Sequence, residues 1–233
     1  DRLIETRDPL GNIWKKERNL AGDILCEKMP DGQEIRYEYD TDSRKLRTIY
    51  ADGSVERCFY DGNGNLVKKV RPENYSKDRD DGPGITYAYD SMNRLTQVRD
   101  EEGQVQSTYT YDASGHMVEK TNGAGYTTYY AYDLLGNRIG MWEPVEQPEG
   151  GKGEILYRAT LYEYDSESNK IREKRGLDKV GAHQTPRCTH EIRFGYDALN
   201  RLVSVEDVYG ARAEYRYNSL GWKTYERFRI SGD

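Results

Sequence analysis

The sequence predicts an all-β protein, a tandem array of antiparallel β-hairpins, on three observations. An aromatic-x-Tyr-Asp motif returns at near-constant spacing. Gly, Asn or Asp punctuates the chain at fixed offsets from that motif. Strand-forming stretches of about seven residues fill the intervals.

The anchors set the period. They are Tyr39-Asp40, Tyr60-Asp61, Tyr89-Asp90, Tyr111-Asp112, Tyr132-Asp133, Tyr164-Asp165, Tyr196-Asp197 and the variant Tyr217-Asn218. Successive intervals are 21, 29, 22, 21, 32, 32 and 21 residues. Another 21 residues before Asp40 lies Asn19, in a degenerate copy with Arg18 in the tyrosine's place. About nine units thus form a single array over residues 1–233. Recurrence at such a period is the mark of a repeat architecture.

Each unit reads as two strands and two turns. Three or four residues past the anchor stands Asn93, Gly115, Gly136, Asn200 or Gly221, types that accept a left-handed backbone. An aliphatic residue follows, then a second turn at a fixed offset, as in Leu95…Asp100…Gly103 and Leu202…Asp207…Gly210. Asp31-Gly32 and Asp52-Gly53 read instead as Asp-Gly hairpin turns. The anchor Asp is expected to accept backbone N–H groups in its own turn. Alternation places both tyrosines of pairs such as Tyr37/Tyr39 and Tyr87/Tyr89 on one face, as ladders of cross-strand aromatic pairs worth roughly 0.2–1 kcal/mol each. The stretch "GNIWKKERNL" (11–20) carries helix-friendly charges but holds a second-strand position, so strand is expected.

Three insertions lengthen the period: "RPENYSKDRDDGPG" (71–84), "EPVEQPEGGKGE" (143–154) and "GLDKVGAHQTPRCT" (176–189). Their polar, Gly- and Pro-rich composition predicts exposed loops emerging from one edge of the sheet. Loops on one side of a rigid scaffold are natural binding elements.

Composition narrows the function classes. Only 35% of the 233 residues are hydrophobic, so 21 tyrosines supply ring surface that a thin aliphatic core lacks. The 41 acidic and 35 basic residues are interspersed, giving no basic face for nucleic acid. No apolar run approaches the ~18 residues that cross a bilayer, so membrane insertion is not expected. The opening "DRLIETRDPLGN" reads as the start of a fragment, and Cys26, Cys58 and Cys188 read as unpaired thiols.

Catalytic signals are weak. His183, Cys188 and His190 fall short of the four ligands of a structural zinc site. "DGNGN" (61–65) has Leu66 and Pro72 where a calcium loop needs Gly and Glu. His116 occupies a turn slot filled by Arg or Asn in sister units, which suggests a solvated surface role. No nucleophile elbow or phosphate loop occurs. No catalytic residue, metal ligand or cofactor is assigned, and the reading is not an enzyme.

The pattern [YF]-x-Y-D-x2-[GN]-[RN]-L, clearest at Tyr89-Asp90…Asn93-Arg94-Leu95 and Tyr196-Asp197…Asn200-Arg201-Leu202, resembles the RHS/YD-repeat family over essentially the whole chain. That resemblance implies a long β-sheet spiralling into a hollow shell, which in bacterial Rhs and toxin-complex proteins encloses a C-terminal toxin domain. Related repeats build teneurin barrels and occur in wall-associated proteins, implying a secreted or cell-surface location. Asp8-Pro9-Leu10-Gly11 is similar to the family's self-cleavage segment, but it fills an ordinary turn slot of the repeat. The expectation is a non-enzymatic scaffold whose partners are further repeats or the toxin domain of the parent chain. Its edge strands offer self-association. The other reading is a carbohydrate- or cell-surface-binding module, with Trp14, Trp142 and Trp222 stacking on glycans.

Overall fold

The structure is a computed structural model that describes residues 2–146, 155–187 and 189–230. Contacts divide the array into two units, Asp1–Thr108 and Tyr109–Asp233.

The first unit contains β1 (Arg2–Arg7), β2 (Ile13–Arg18), β3 (Ile24–Lys28), β4 (Glu34–Tyr39), β5 (Lys45–Ile49), β6 (Val55–Tyr60), β7 (Leu66–Val70), β8 (Ile85–Tyr89) and β9 (Leu95–Arg99). Each pairs antiparallel with the next, and β9 pairs with the first half of β10 (Val105–Tyr111). The second unit continues with β11 (Met117–Asn122), β12 (Thr127–Tyr132), β13 (Arg138–Glu146), β14 (Leu156–Tyr164) and β15 (Lys170–Val180). It ends with β16 (Thr189–Tyr196), β17 (Leu202–Asp207), β18 (Arg212–Tyr217) and β19 (Lys223–Arg229). From β11 to β19 the pairing is again strictly sequential. The fold is all-β. The charged segment 11–20 forms β2, because alternation along a paired strand outweighs its helix propensity.

One turn closes both ends of the hairpins. In the turn at Asp90, the Asp90 N–H donates to Arg94 O at 3.0 Å and the Asn93 N–H donates to Asp90 O at 3.0 Å. Asn93 has φ 61°, the left-handed residue that follows a type I turn. The Asp90 carboxylate accepts from the backbone of Met92 (2.9 Å) and Arg94 (3.0 Å), while Nε of Arg94 donates to its second oxygen at 2.7 Å. Asp61, Asp133, Asp165 and Asp197 repeat this set with Asn65, Asn137, Asn169 and Arg201 four residues on. The Asp-Gly segments are corrected here. Gly32 and Gly53 donate back to Met29 and Tyr50, so Asp31 and Asp52 occupy the third position of the same turn. A type I′ turn would need φ > 0 at both central residues, and only the glycines have it.

The second tyrosine of seven motifs ties its strand to an earlier hairpin. Tyr39, Tyr60, Tyr89, Tyr132, Tyr164, Tyr196 and Tyr217 donate through Oη to the carbonyls of Ile24, Lys45, Leu66, Met117, Arg138, Lys170 and Leu202, at 2.8–3.1 Å. Burial pushes the pKa of Tyr39, Tyr60, Tyr89 and Tyr132 upward, which keeps these hydroxyls as donors. Tyr89→Phe removes one such bond and leaves the Leu66 carbonyl without it. A loss of about 1 kcal/mol is expected from urea unfolding.

The aromatic ladder differs from expectation. Motif tyrosines lie on every second strand, about 9–10 Å apart, so they are not direct cross-strand neighbours. The intervening strand inserts a cation instead. Arg138 lies 5.8 Å from the Tyr130 ring and 5.3 Å from that of Tyr162. Lys170 lies 5.5 Å from the Tyr162 ring and 4.6 Å from that of Phe194. Lys45 and Lys223 stand over Tyr37 and Tyr215. Each such contact is worth about 0.5–1 kcal/mol where partly exposed.

Candidate functional site

A lone sheet leaves most side chains half-buried, and the fully enclosed ones reveal where a second layer exists. Val70 is completely buried beneath the first insertion, and Trp142, Tyr157 and Ala159 form a core cluster beside the third. Both insertions fold back onto the sheet instead of leaving its edge as exposed loops. The middle insertion partly lengthens β13, which runs on to Glu146, and residues 147–154 lie outside the described residues.

In the first unit, the insertion opens with a 3-10 turn at Pro72–Asn74 and returns through a bridge between Ser76 and Asp81. Its tip carries Asp80, in left-handed backbone at φ 51°. The Asp80 carboxylate accepts from Arg47 on β5, from Nε of Arg57 on β6 at 3.3 Å and from the Tyr75 hydroxyl at 2.7 Å. Lys68 on β7 donates to both oxygens of Asp81 at 2.7 and 2.9 Å. Gly82 and Gly84 lie flat over Val70; a Cβ on Gly82 would stand 1.9 Å from Asn74 O. No other residue type fits that approach.

Hydrogen bonds from Arg47 hold Asp80 at about 2, against the cost of burial, with the Tyr75 hydroxyl and the charge of Arg57 adding to the effect. The folded pKa lies below the ordinary Asp value near 3.9, so Asp80 stabilises fully above about pH 4 and loses its contribution as pH falls toward 2. Asp61, Asp133 and Asp165 are lowered in the same direction, first by the carboxamide four residues on, and Asp90 and Asp197 first by the backbone N–H at that position. Acid unfolding is therefore expected below about pH 4, and Asp80→Asn is expected to flatten part of that slope. Circular dichroism during acid titration measures both.

In the second unit, the third insertion continues β15 and then folds over β12 to β14. Nε1 of Trp142 donates to Gln184 O at 2.8 Å. The His183 ring sits 5.0 Å from the Trp142 ring and 4.9 Å from that of Tyr129, which also meets Tyr157 edge-on at 5.5 Å. Pro186 presses on Gly176, where a Cβ would lie 2.7 Å away, and Asp178 accepts from the Arg187 backbone at 2.9 Å. His183 is thus a packing residue, and His190 faces Tyr209 at 5.3 Å. Cys188 lies outside the described residues. Among the described residues no three His, Cys, Asp or Glu side chains are grouped to hold a metal ion.

One further expectation is corrected. Trp142 is only 5% exposed, so it offers no stacking surface to a sugar. His116 keeps about a third of its side chain exposed, in the slot of Arg44 and Arg94, and also stacks on Tyr132 at 4.6 Å and bonds through Nδ1 to Asp112 at 3.1 Å. Cys26 and Cys58 are buried free thiols whose pKa burial pushes up. Sequence reasoning missed Arg47 and Arg57. Their signal was a basic pair on adjacent strands opposite an insertion rich in Asp.

Repeated hairpins, one turn type and insertions packed onto their own sheet define a tandem β-hairpin repeat protein. The RHS Repeat family model matches residues 60–105 and 93–127 of this array, 68 of its 233 residues. Double-stranded DNA deaminase toxin A of Burkholderia cenocepacia is 28% identical over 89% of this chain and 13% of its own length. Probable deoxyribonuclease RhsB of Dickeya dadantii is 28% identical over 88% of this chain and 14% of its own. The chain thus spans about one-seventh of these relatives. Among solved structures, the TcdB2-TccC3-Cdc42 crystal structure aligns with a TM-score of 0.55 at 13% identity, covering 95% of this chain and 14% of that one. The Photorhabdus luminescens Tc holotoxin pore aligns with a TM-score of 0.52, also at 13% identity, over 94% and 13%. These two likenesses concern the fold alone.

Proposed function

We propose that the chain is a length of non-enzymatic wall in an RHS/YD-repeat shell, a single array of about nine units that encloses or presents a toxin domain carried elsewhere in a longer, secreted or cell-surface protein. One observation carries this reading. The chain aligns at the same 28% identity with relatives named for two different activities, a deaminase and a deoxyribonuclease. A segment shared equally by both is the part that their different chemistries do not require. The sheet supports the same view, because the anchor carboxylates, such as Asp90, serve their turns and Asp80 and Asp81 serve ion pairs.

The 233-residue chain is expected to leave double-stranded DNA neither deaminated nor cut under conditions where the longer relatives act. Turnover abolished by one substitution in the chain would overturn the proposal. In a longer protein containing this segment, the effector domain is expected to resist added protease until the repeat sheet is unfolded.

A further inference from the structure

The anchor turns carry an irregularity that their own geometry does not require. Every second turn has Gly at its left-handed position: Gly11, Gly32, Gly53, Gly103, Gly125 and Gly210. On the opposite edge, four anchor turns use Ser43, Asn93, Ser168 and Asn200 at the equivalent position, with φ between 58° and 64°. A side chain at such a φ is a strained choice when Gly is available, so something favours it in these anchor turns; elsewhere among the described residues only Asp80 and His183, both in insertions, share it.

The favouring contact comes from the preceding unit. The residue four after an anchor points along the edge to the next anchor turn, two strands away. Where it is short and polar, it hydrogen-bonds the left-handed side chain. Asp23 accepts from Ser43 Oγ at 2.9 Å, and Asn65 donates to Asn93 Oδ1 at 2.8 Å. Asn137 donates to Ser168 Oγ at 3.1 Å, and Asn169 donates to Asn200 Oδ1 at 3.0 Å. Where it is long or a ring, it covers the space a side chain would need. Nη1 of Arg44 lies 3.2 Å from where a Cβ on Gly64 would stand, and Nε2 of His116 lies 2.9 Å from that of Gly136. Arg201 instead reaches Asn218 O at 3.1 Å and leaves the Cβ position of Gly221 open, with nothing within 4 Å of it. The sequence pair Arg94 and Gly115 follows the same rule. All eight successive pairs match in residue type, and six of them, the four hydrogen-bonded pairs with Arg44–Gly64 and His116–Gly136, also match by contact, which separates the pattern from turn preference alone.

We infer that neighbouring units recognise each other through this edge, short polar side chains pairing with Ser or Asn and Arg or His with Gly. The contact is a matching rule between consecutive repeats, and it penalises units placed out of order. It also specifies a partner. Trp222 fills the position four after the last anchor and is 72% exposed. By size it belongs with Arg and His, so the unit that seats beside it carries Gly at its left-handed position. This last step rests on the proposal that further repeats adjoin the chain.

The test is a double-mutant cycle in the 233-residue chain, read by native-state hydrogen exchange at the Asn200 and Arg201 amides. Asn169→Arg keeps a donor for Asp165, as Arg44 and Arg94 do for their anchors, but mismatches Asn200. It is expected to raise local opening, and adding Asn200→Gly is expected to restore protection, with a coupling of at least roughly threefold. Additive effects would overturn the rule. The reverse cycle guards against simple misfolding: Gly136→Asn is expected to be tolerated only together with His116→Asn, and equal tolerance in both backgrounds would count against the inference. For Trp222, a hairpin unit appended after residue 233 is expected to shield the indole from iodide quenching with Gly at the left-handed position and not with Asn. Equal shielding by both overturns the extension to Trp222. Shielding by neither, with the cycle positive, overturns the adjoining-repeat proposal and leaves the edge rule standing.

Discussion

Trp142→Ala is expected to lower the unfolding free energy of the second unit by about 3–5 kcal/mol, the usual cost of truncating a buried large aromatic. Trp142 sits in the core cluster with Tyr157 and Ala159, and its indole N–H is bonded to Gln184 O in the folded-back insertion. The substitution removes both the ring under His183 and the donor to that carbonyl. Urea unfolding followed by circular dichroism gives the magnitude. The His183 ring resonances give the mechanism, since they should move toward free-histidine shifts once Trp142 no longer stacks on them. Trp142→Phe keeps one ring while losing the hydrogen bond and part of the packed volume, so a smaller loss of about 1–2 kcal/mol is expected. If Trp142→Ala leaves stability within 0.5 kcal/mol (about the scale of an ordinary surface change), the insertion does not pack there in solution.

Gly82→Ala is expected to be the most damaging single-methyl change in the first unit. Its Cβ would lie 1.9 Å from a backbone oxygen, Asn74 O, and 3.3 Å from Val70. Backbone cannot rotate away as a flexible side chain does, so the insertion must lift. Overpacking of this kind costs about 1–3 kcal/mol. Lifting the loop also parts Asp80 from Arg47 and Arg57, so the Asp80 carboxyl should titrate near the ordinary Asp value instead of about 2. Carboxyl NMR titration reads that shift directly. Gly103→Ala is the control: nothing lies within 4 Å of its Cβ position, so it pays only for its φ of 81°, about 1 kcal/mol.

Much of the fold was legible because its determinants are local. Asp90 and Asn93 lie within five residues of each other, and the turn they make closes through bonds between those same residues. The tyrosines were legible as regular features of one face, but not as rungs alternating with Arg138 and Lys170. That requires knowing which strand lies between two others. The insertions were legible as interruptions, and their composition pointed outward. Their destination depended on Val70 and Trp142, which look like ordinary strand residues until the chain is folded.

The sequence by itself determined the period, the anchor turns and the strand order, because a meander with short turns has only one neighbour to offer each strand. Only the tertiary structure decided where the insertions lie, which cation enters which aromatic gap, and which left-handed residue each turn tolerates. The reason is one of range. Turn bonds form between residues a few positions apart, whereas Arg47 meets Asp80 across 33 positions and Trp142 meets Gln184 across 42. Contacts of that separation leave no periodic trace along the chain and come into being only when the sheet brings their partners together.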